Sequence, residues 1–261
     1  MLSLKEQAMN KEMTKHIEAQ LNELNLKGML ACYRDMAEKA AVNKLSYEEY
    51  LSLLLEEEIK GRNERSIKAK IYKARVPFVK TLEEFDFSFQ PDLREKELMR
   101  LSSLDFIENK ENLVFLGPPG VGKTHLAVGF CIKACQAKYR VLFMSTQKLI
   151  EDLMMCVRDG SLTKRLLYYS RLHLLVIDEI GYMPITKEQA NLLYQLISMR
   201  YEKGSIILTS NYSFEEWGKV FQDDVVAAAI IDRIVHHARI FYINGASYRL
   251  KNKLKNKSLR G

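Results

Sequence analysis

The chain has 261 residues, 47% of them hydrophobic and 28% charged, with a net charge of +7. That length supports one sizeable core plus a smaller domain, and the cationic excess points to an anionic partner. The remaining composition excludes: no apolar run approaches membrane-spanning length, the charge-broken start MLSLKEQAMNKEMTKHIEAQ is no signal peptide, and Cys32, Cys131, Cys135 and Cys156 show neither a CxxC pair nor His/Cys ligand spacing. The expectation is a cytoplasmic protein with no membrane partner, no disulfides and no zinc.

Residues from about 4 to 75 read as helices. Leu21, Leu24, Leu26, Met29, Leu30, Tyr33 and Met36 recur at helical spacing around a break expected at Lys27-Gly28. Ser46-Tyr47-Glu48-Glu49 is a capping box that opens a further helix, whose apolar face begins with Tyr50, Leu51, Leu54 and Leu55. Glu56, Glu57 and Glu58 then give way to Lys60, Arg62, Arg65, Lys68, Lys70, Lys73 and Arg75, with Glu64 the only acid among them. Such a block is either a solvated helix face or a row of phosphate contacts. Its spacing, with Asn63, Ser66 and Tyr72 between the cations, favours double-stranded DNA. Pro77 closes this region, so residues 1–76 are expected to form a helical DNA-binding domain. In the linker that follows, residues 77–92, Phe85, Phe87 and Phe89 either pin the segment to the next domain or line an adenine pocket. Leu93 to Asn109 is expected to be a helix.

The most informative stretch is Asn112 to Ala127, NLVFLGPPGVGKTHLA. Leu113 to Leu116 read as a buried parallel strand, and His125, Leu126, Ala127, Val128 and Phe130 carry an apolar helix forward. Between them, Gly117-Pro118-Pro119-Gly120-Val121-Gly122-Lys123-Thr124 fits the phosphate-loop pattern G-x-x-x-x-G-K-[ST] at every fixed position. Glycines let main-chain N–H groups close around phosphates, and the helix N-terminus adds partial positive charge. Lys123 is expected to reach the β- and γ-phosphates of ATP, Thr124 to ligate Mg2+, and His125 to lie beside the nucleotide.

Val141–Ser145 reads as a second strand, followed by helices over Thr146–Val157 and Leu162–Ser170. Lys148, Lys164, Arg165 and Arg171 there are either plain surface charges or DNA-facing ones. The run Leu172–Glu179, LHLLVIDE, is an apolar strand ending in two carboxylates. Downstream of a full phosphate loop, Asp178 is expected to hold Mg2+ through its waters and Glu179 to polarise the attacking water. Thr186–Tyr201 reads as an amphipathic helix and Ser205–Asn211 as a strand. The polar tip of that strand offers Thr209 and Asn211 to the γ-phosphate or the water, or merely caps the strand. Helices are expected over Phe214–Gly218 and Asp223–His236, then a last strand, Arg239–Ile243. Asp232-Arg233 is either a structural salt bridge or the source of an arginine for a neighbouring subunit. From Gly245 the sequence is cationic and acid-free, a basic tail.

In this order GPPGVGKT, VIDEIG, ILTSN and DRIVHHA resemble the AAA+ ATPases of the helicase-loader and initiator branch. The match extends to the IstB-like transposition helpers through SYEEYLSLLLEEE with its following basic run, the FDF segment and the terminal SYRLK. The resemblance implies an α/β fold: a P-loop αβα core with a parallel five-stranded sheet over residues 77–245, preceded by a small all-helical domain and followed by the tail, 246–261. It implies an ATPase that self-assembles on DNA through ATP-bridged subunit interfaces and recruits or stimulates a transposase, with hydrolysis as timer. Asn211 becomes the first sensor and Arg233 the arginine finger acting across the interface. Too few residues follow Ile243 for the usual helical lid, so turnover is expected to depend on assembly. The alternatives are a DnaC-like loader whose partner is a replicative helicase, and a nucleotide-gated DNA scaffold with little hydrolysis.

Overall fold

The computed structural model describes residues 4–91 and 93–248, with side chains from residue 11 onward. Most of the basic tail expected over 246–261 lies outside the described residues. The chain divides into two units, Met1–Ala69 and Lys70–Gly261.

The first unit holds α1 (Leu4–Glu23), α2 (Lys27–Asn43) and most of α3 (Tyr47–Ala74). Its small core is Met29, Tyr33 and Leu54, with Ile17, Leu21, Leu30, Met36 and Tyr50 packed around it. The expected capping box at Ser46 is present: Glu49 N–H donates to Ser46 Oγ at 3.1 Å, and Ser46 N–H to Glu49 Oε2 at 2.7 Å. The break between the first helices falls at Leu24–Leu26, with Asn25 left-handed at φ 56°, rather than at Lys27-Gly28. Gly28 lies inside α2, where α3 approaches too closely for a side chain. A Cβ there would stand 2.7 Å from Glu57 O and Glu58 Cα. Helix α3 runs past the division between units because its last turn carries Ile71 and Ala74 into the second unit's core.

That second unit is built on five strands: β1 (Asn112–Leu116), β2 (Val141–Ser145), β3 (Leu174–Ile180), β4 (Ser205–Ser210) and β5 (Ala238–Tyr242). All pairs are parallel, in the order β2-β3-β4-β1-β5. The helices are α4 (Glu95–Arg100), α5 (Asp105–Glu108), α6 (Lys123–Gln136), α7 (Thr146–Arg158), α8 (Leu162–Ser170), α9 (Lys187–Arg200), α10 (Trp217–Phe221) and α11 (Asp224–Val235). Strands β1 to β4 are largely buried on both faces, which is why they read as nearly continuous apolar runs, whereas the edge strand β5 exposes Arg239 and Tyr242. Alternate residues serve opposite layers. Leu113, Phe115, Val141, Phe143, Leu174 and Val176 pack with α6. Val114, Leu116, Leu142, Leu175 and Ile177 pack with α7, α9 and α11.

Two expected elements differ. Leu93–Asn109 is broken into α4, a 3-10 turn and α5 by Leu104 at φ 69°. Leu98, Leu101, Leu104, Phe106 and Ile107 are all buried, more of the circumference than one helix face can offer. The expected helix Phe214–Gly218 is a 3-10 turn leading into α10. Because β4 lies between β1 and β3, the C-terminal ends of these three strands stand side by side. Ligands of open α/β sheets bind at that end.

Candidate nucleotide-binding site

The phosphate loop leaves β1 at Leu116 and enters α6 at Lys123. Gly122 is the N-cap of α6 at φ 105°, and the Phe85 ring lies 2.5 Å from where a Cβ would be, so both backbone and space require glycine. Lys123 is 7% exposed. Its ammonium donates to Gly117 O at 2.6 Å, Pro118 O at 2.8 Å and Asn211 Oδ1 at 2.7 Å. The expected loop cation and the expected sensor are thus joined directly.

The two carboxylates of β3 have different surroundings. Asp178 is 5% exposed and accepts from Thr209 Oγ1 at 2.5 Å and Thr124 Oγ1 at 3.1 Å. Burial pushes its carboxyl above the ordinary range, with the Glu179 charge adding to this and the threonine bonds and Lys123 opposing it. Glu179 is exposed and left-handed at φ 63°. The register between β3 and β4 shifts at this point, between Ile177 and Ile180. That bulge turns Glu179 out of strict alternation, so that it shares a groove with Asp178 and Thr124. Thr209 Oγ1 also accepts from the Glu179 N–H at 2.9 Å. One hydroxyl therefore orients both acids, a role that the sequence reading did not separate from phosphate contact.

Hard oxygen donors at a buried carboxylate suit Mg2+ and its waters. Thr124 Oγ1 and Asp178 supply them, and the raised carboxyl gains from a nearby cation. The residues present fit the ion.

Beside the loop is a cavity of about 350 Å³ lined by Phe78, Phe85, Phe89, Gln90, residues 119–125, Glu179, Asn211 and Tyr248. The aromatic segment packs onto this unit as expected, and two of its rings face the cavity. Phe85 belongs to the core, while Phe85 and Phe89 also wall the cavity. His125 Nε2 bonds Thr81 O at 2.8 Å and its ring meets Phe85 edge-on at 5.3 Å. Burial lowers its pKa, which favours the neutral ring. Residues 243–248 lie across the loop: Ile243 N–H donates to Leu116 O at 2.8 Å and Tyr248 N–H to Gly120 O at 3.0 Å. Residues 243–248 thus form a strap along the loop, and Tyr248 lines the cavity.

Arg233 sits far from this loop. It lines a crevice with Asn112 and Gly204, at the opposite ends of β1 and β4. The salt bridge offered for Asp232-Arg233 is not formed among the described residues. The Arg233 guanidinium stacks over Tyr194 at 4.7 Å and donates to Ala229 O at 3.2 Å. A five-residue strand is about 16 Å long, so Arg233 does not reach its own subunit's loop.

The basic block of α3 is not uniform. Arg62 and Arg65 both approach Glu58 Oε1, at 3.3 and 3.2 Å. Glu58 is 4% exposed and accepts from the Gly28 and Met29 N–H groups. Lys60 stands 3.9 Å from Glu57, and Lys70 donates to Lys138 O at 3.1 Å. Lys68, Lys73 and Arg75 are exposed and form no ion pair among the described residues. Of the later cations, Arg165 is paired with Asp152 at 3.3 Å.

Residues 19–256 match the family described as IstB-like ATP binding protein. The chain belongs to this IstB-like family. It is 45% identical over 239 residues to the ATP-binding protein of insertion sequence IS21 from Pseudomonas aeruginosa, covering 92% of this chain and 90% of that one. It is 41% identical over 241 residues to the IS5376 ATP-binding protein of Geobacillus stearothermophilus, covering 92% and 96%. Among solved structures, AMPPCP-bound DnaA from Aquifex aeolicus has a TM-score of 0.54 at 21% identity, over 67% of this chain and 55% of that one. DnaI has 0.52 at 20% identity, over 62% and 90%. At such identities these structures show the shared α/β P-loop fold. The IstB-like relatives, named as ATP-binding proteins of insertion sequences, add ATP binding. No helix among the described residues is long and apolar enough to cross a membrane.

Proposed function

We propose that this IstB-like chain is a Mg2+-dependent ATPase that assembles with copies of itself on double-stranded DNA and recruits or stimulates an insertion-sequence transposase. Hydrolysis acts as the timer of that assembly. The observation that carries the reading is the group formed at adjoining strand ends by Lys123, Asn211, Thr124, Asp178, Thr209 and Glu179.

Main-chain N–H groups of residues 120–124 receive the phosphates, and Lys123 exchanges its carbonyl partners for the β- and γ-phosphate oxygens. Thr124 and Asp178 would hold Mg2+, which when bound would offset phosphate charge. Glu179 accepts the proton of the water that attacks the γ-phosphorus. Asn211, released as Lys123 turns, hydrogen-bonds that water or the γ-phosphate. Phe85, Phe89 and Tyr248 enclose the base. Arg233 completes the site of a neighbouring subunit, which makes turnover dependent on assembly. Lys68, Lys73 and Arg75 make phosphate contacts with DNA, together with whichever of Lys60, Arg62, Arg65 and Lys70 can leave their present partners.

The test mixes full-length protein, duplex DNA and the transposase with ATP or a slowly hydrolysed analogue. Expected is a ternary complex that persists with the analogue and dissolves with ATP. Nucleotide-independent assembly, or capture of a replicative helicase in place of the transposase, overturns the reading.

A further inference from the structure

Three side chains with metal-binding chemistry meet at the end of the sheet remote from the phosphate loop. Helix α9 ends at Arg200 and α11 at Val235. Just beyond those ends, Glu202, His236 and His237 bring one carboxylate oxygen and two imidazole nitrogens within 4.8 Å of one another, all on exposed residues. His237 Nε2 already stands 3.2 Å from Glu202 Oε1, and the two imidazole centroids are 4.1 Å apart.

We propose that Glu202, His236 and His237 form a binding site for a late first-row divalent cation, Zn2+ foremost. Two imidazoles and a carboxylate form a zinc-type donor set, whereas Mg2+ seeks oxygen alone. In a tetrahedral site the ligand atoms stand about 3.4 Å apart, given metal–ligand bonds near 2.1 Å. The His237–Glu202 pair already has that separation, and the third ligand needs only a small side-chain rotation on an exposed surface. Three further features support a cation here. The C-terminal ends of α9 and α11, each carrying partial negative charge, converge on the cluster. Glu202 holds a left-handed backbone at φ 57°, which puts a carboxylate at a helix end where a negative side chain is otherwise disfavoured. The Tyr201 hydroxyl lies 2.6 Å from His236 Nδ1 and fixes that ring, as an outer hydrogen-bond partner does for a ligating histidine. The three protein ligands leave one position open for water or for a group from another molecule. Glu202 and His237 also share their crevice with Arg233. A bound cation would stand beside that arginine, yet the site itself does not depend on the proposed ATPase function.

The test is calorimetric titration of chelator-treated full-length protein with Zn2+, without nucleotide, alongside His236→Ala, His237→Ala and Glu202→Ala. Circular dichroism and ATP binding serve as controls of fold, since none of the three residues touches the nucleotide site. Expected is one Zn2+ per chain for the parent, at least about tenfold weaker binding for each ligand variant, and a smaller loss for Tyr201→Phe. Excess Mg2+ leaves the binding unchanged. Substituting Co2+ in the parent gives an independent reading: visible d–d absorption of a four-coordinate ion, abolished by added Zn2+. Equal Zn2+ affinity in the parent and in the double variant His236→Ala/His237→Ala overturns the proposal. So does the absence of Zn2+ uptake at micromolar concentration, which would leave the histidines as helix-end caps paired with Glu202.

Discussion

The two units hold their buried charges in different ways. In the helical unit, Glu58 is locked among the N–H groups of Gly28 and Met29 and the guanidinium groups of Arg62 and Arg65. Burial pushes its carboxyl up, but these bonds outweigh burial and hold it below the ordinary range. In the second unit, Lys123 and Asp178 are held by carbonyl, amide and hydroxyl groups that a phosphate or a cation can replace. The difference separates a structural charge from a chemical one. A buried ion satisfied by opposite charge has little to gain from a ligand, whereas one held by neutral dipoles has much to gain.

The largest expected effect sharpens the chemical side. Glu179→Gln should slow DNA-stimulated phosphate release by about 10²–10⁴-fold, the usual contribution of a general base, while leaving ATP binding nearly intact. Unchanged release would support the scaffold reading. Next comes the structural side: Glu58→Gln should cost the helical unit about 1–3 kcal/mol by leaving the N–H groups and guanidinium groups poorly matched. Because the folded carboxyl is depressed, that stabilisation is present above its unfolded value and fades as pH falls through the folded one. The checks are thermal melts followed by helical circular dichroism across acidic pH. A variant that melts like the parent would show that Glu58 is not the lock described.

Asp178 should behave in the opposite sense. Its carboxyl is raised by burial, so the ionised form lowers stability at neutral pH, and the folded state regains stability as pH falls toward the raised value. Asp178→Asn should therefore raise the melting temperature of nucleotide-free protein by about 2–4 °C, the shift expected for about 1 kcal/mol in a chain of this size. The same change should weaken Mg2+-dependent ATP binding. A lower melting temperature would mean that the threonine bonds already compensate for burial. The smallest effect concerns DNA. Lys68→Ala and Lys73→Ala should each reduce the salt dependence of duplex affinity by about one unit of slope. Arg62→Ala and Arg65→Ala should act mainly through stability, and a loss of slope without loss of stability would restore them as phosphate contacts.

Features encoded locally were legible in the sequence. The phosphate loop sits between an apolar strand and a helix, the helix Leu162–Ser170 appears with its expected ends, and the five parallel strands follow from five apolar runs. Features set by distant partners were not. Arg200, in the last turn of an amphipathic helix, is fully buried and donates to Tyr169 O, Leu172 O and Ser205 O, which nothing in its local sequence announces. Burial pushes its guanidinium down to about 10. The strap over residues 243–248 was read in part as tail because nothing local marks Tyr248 as a neighbour of Gly120. The orienting role of Thr209 depends on a bulge in β3 that no single run of residues announces. Leu104 breaks its helix because five apolar side chains need the core at once.

The proposed function requires that ATP binds at the phosphate loop through main-chain amides and Lys123. Equilibrium titration of full-length protein with ATP and Mg2+, for the parent and for Lys123→Ala, tests this most directly. Expected is one nucleotide per chain for the parent and a loss of about 100-fold or more in the variant, as for removal of two charge-assisted phosphate contacts. Equal affinity in the two proteins would place the nucleotide elsewhere and contradict the account.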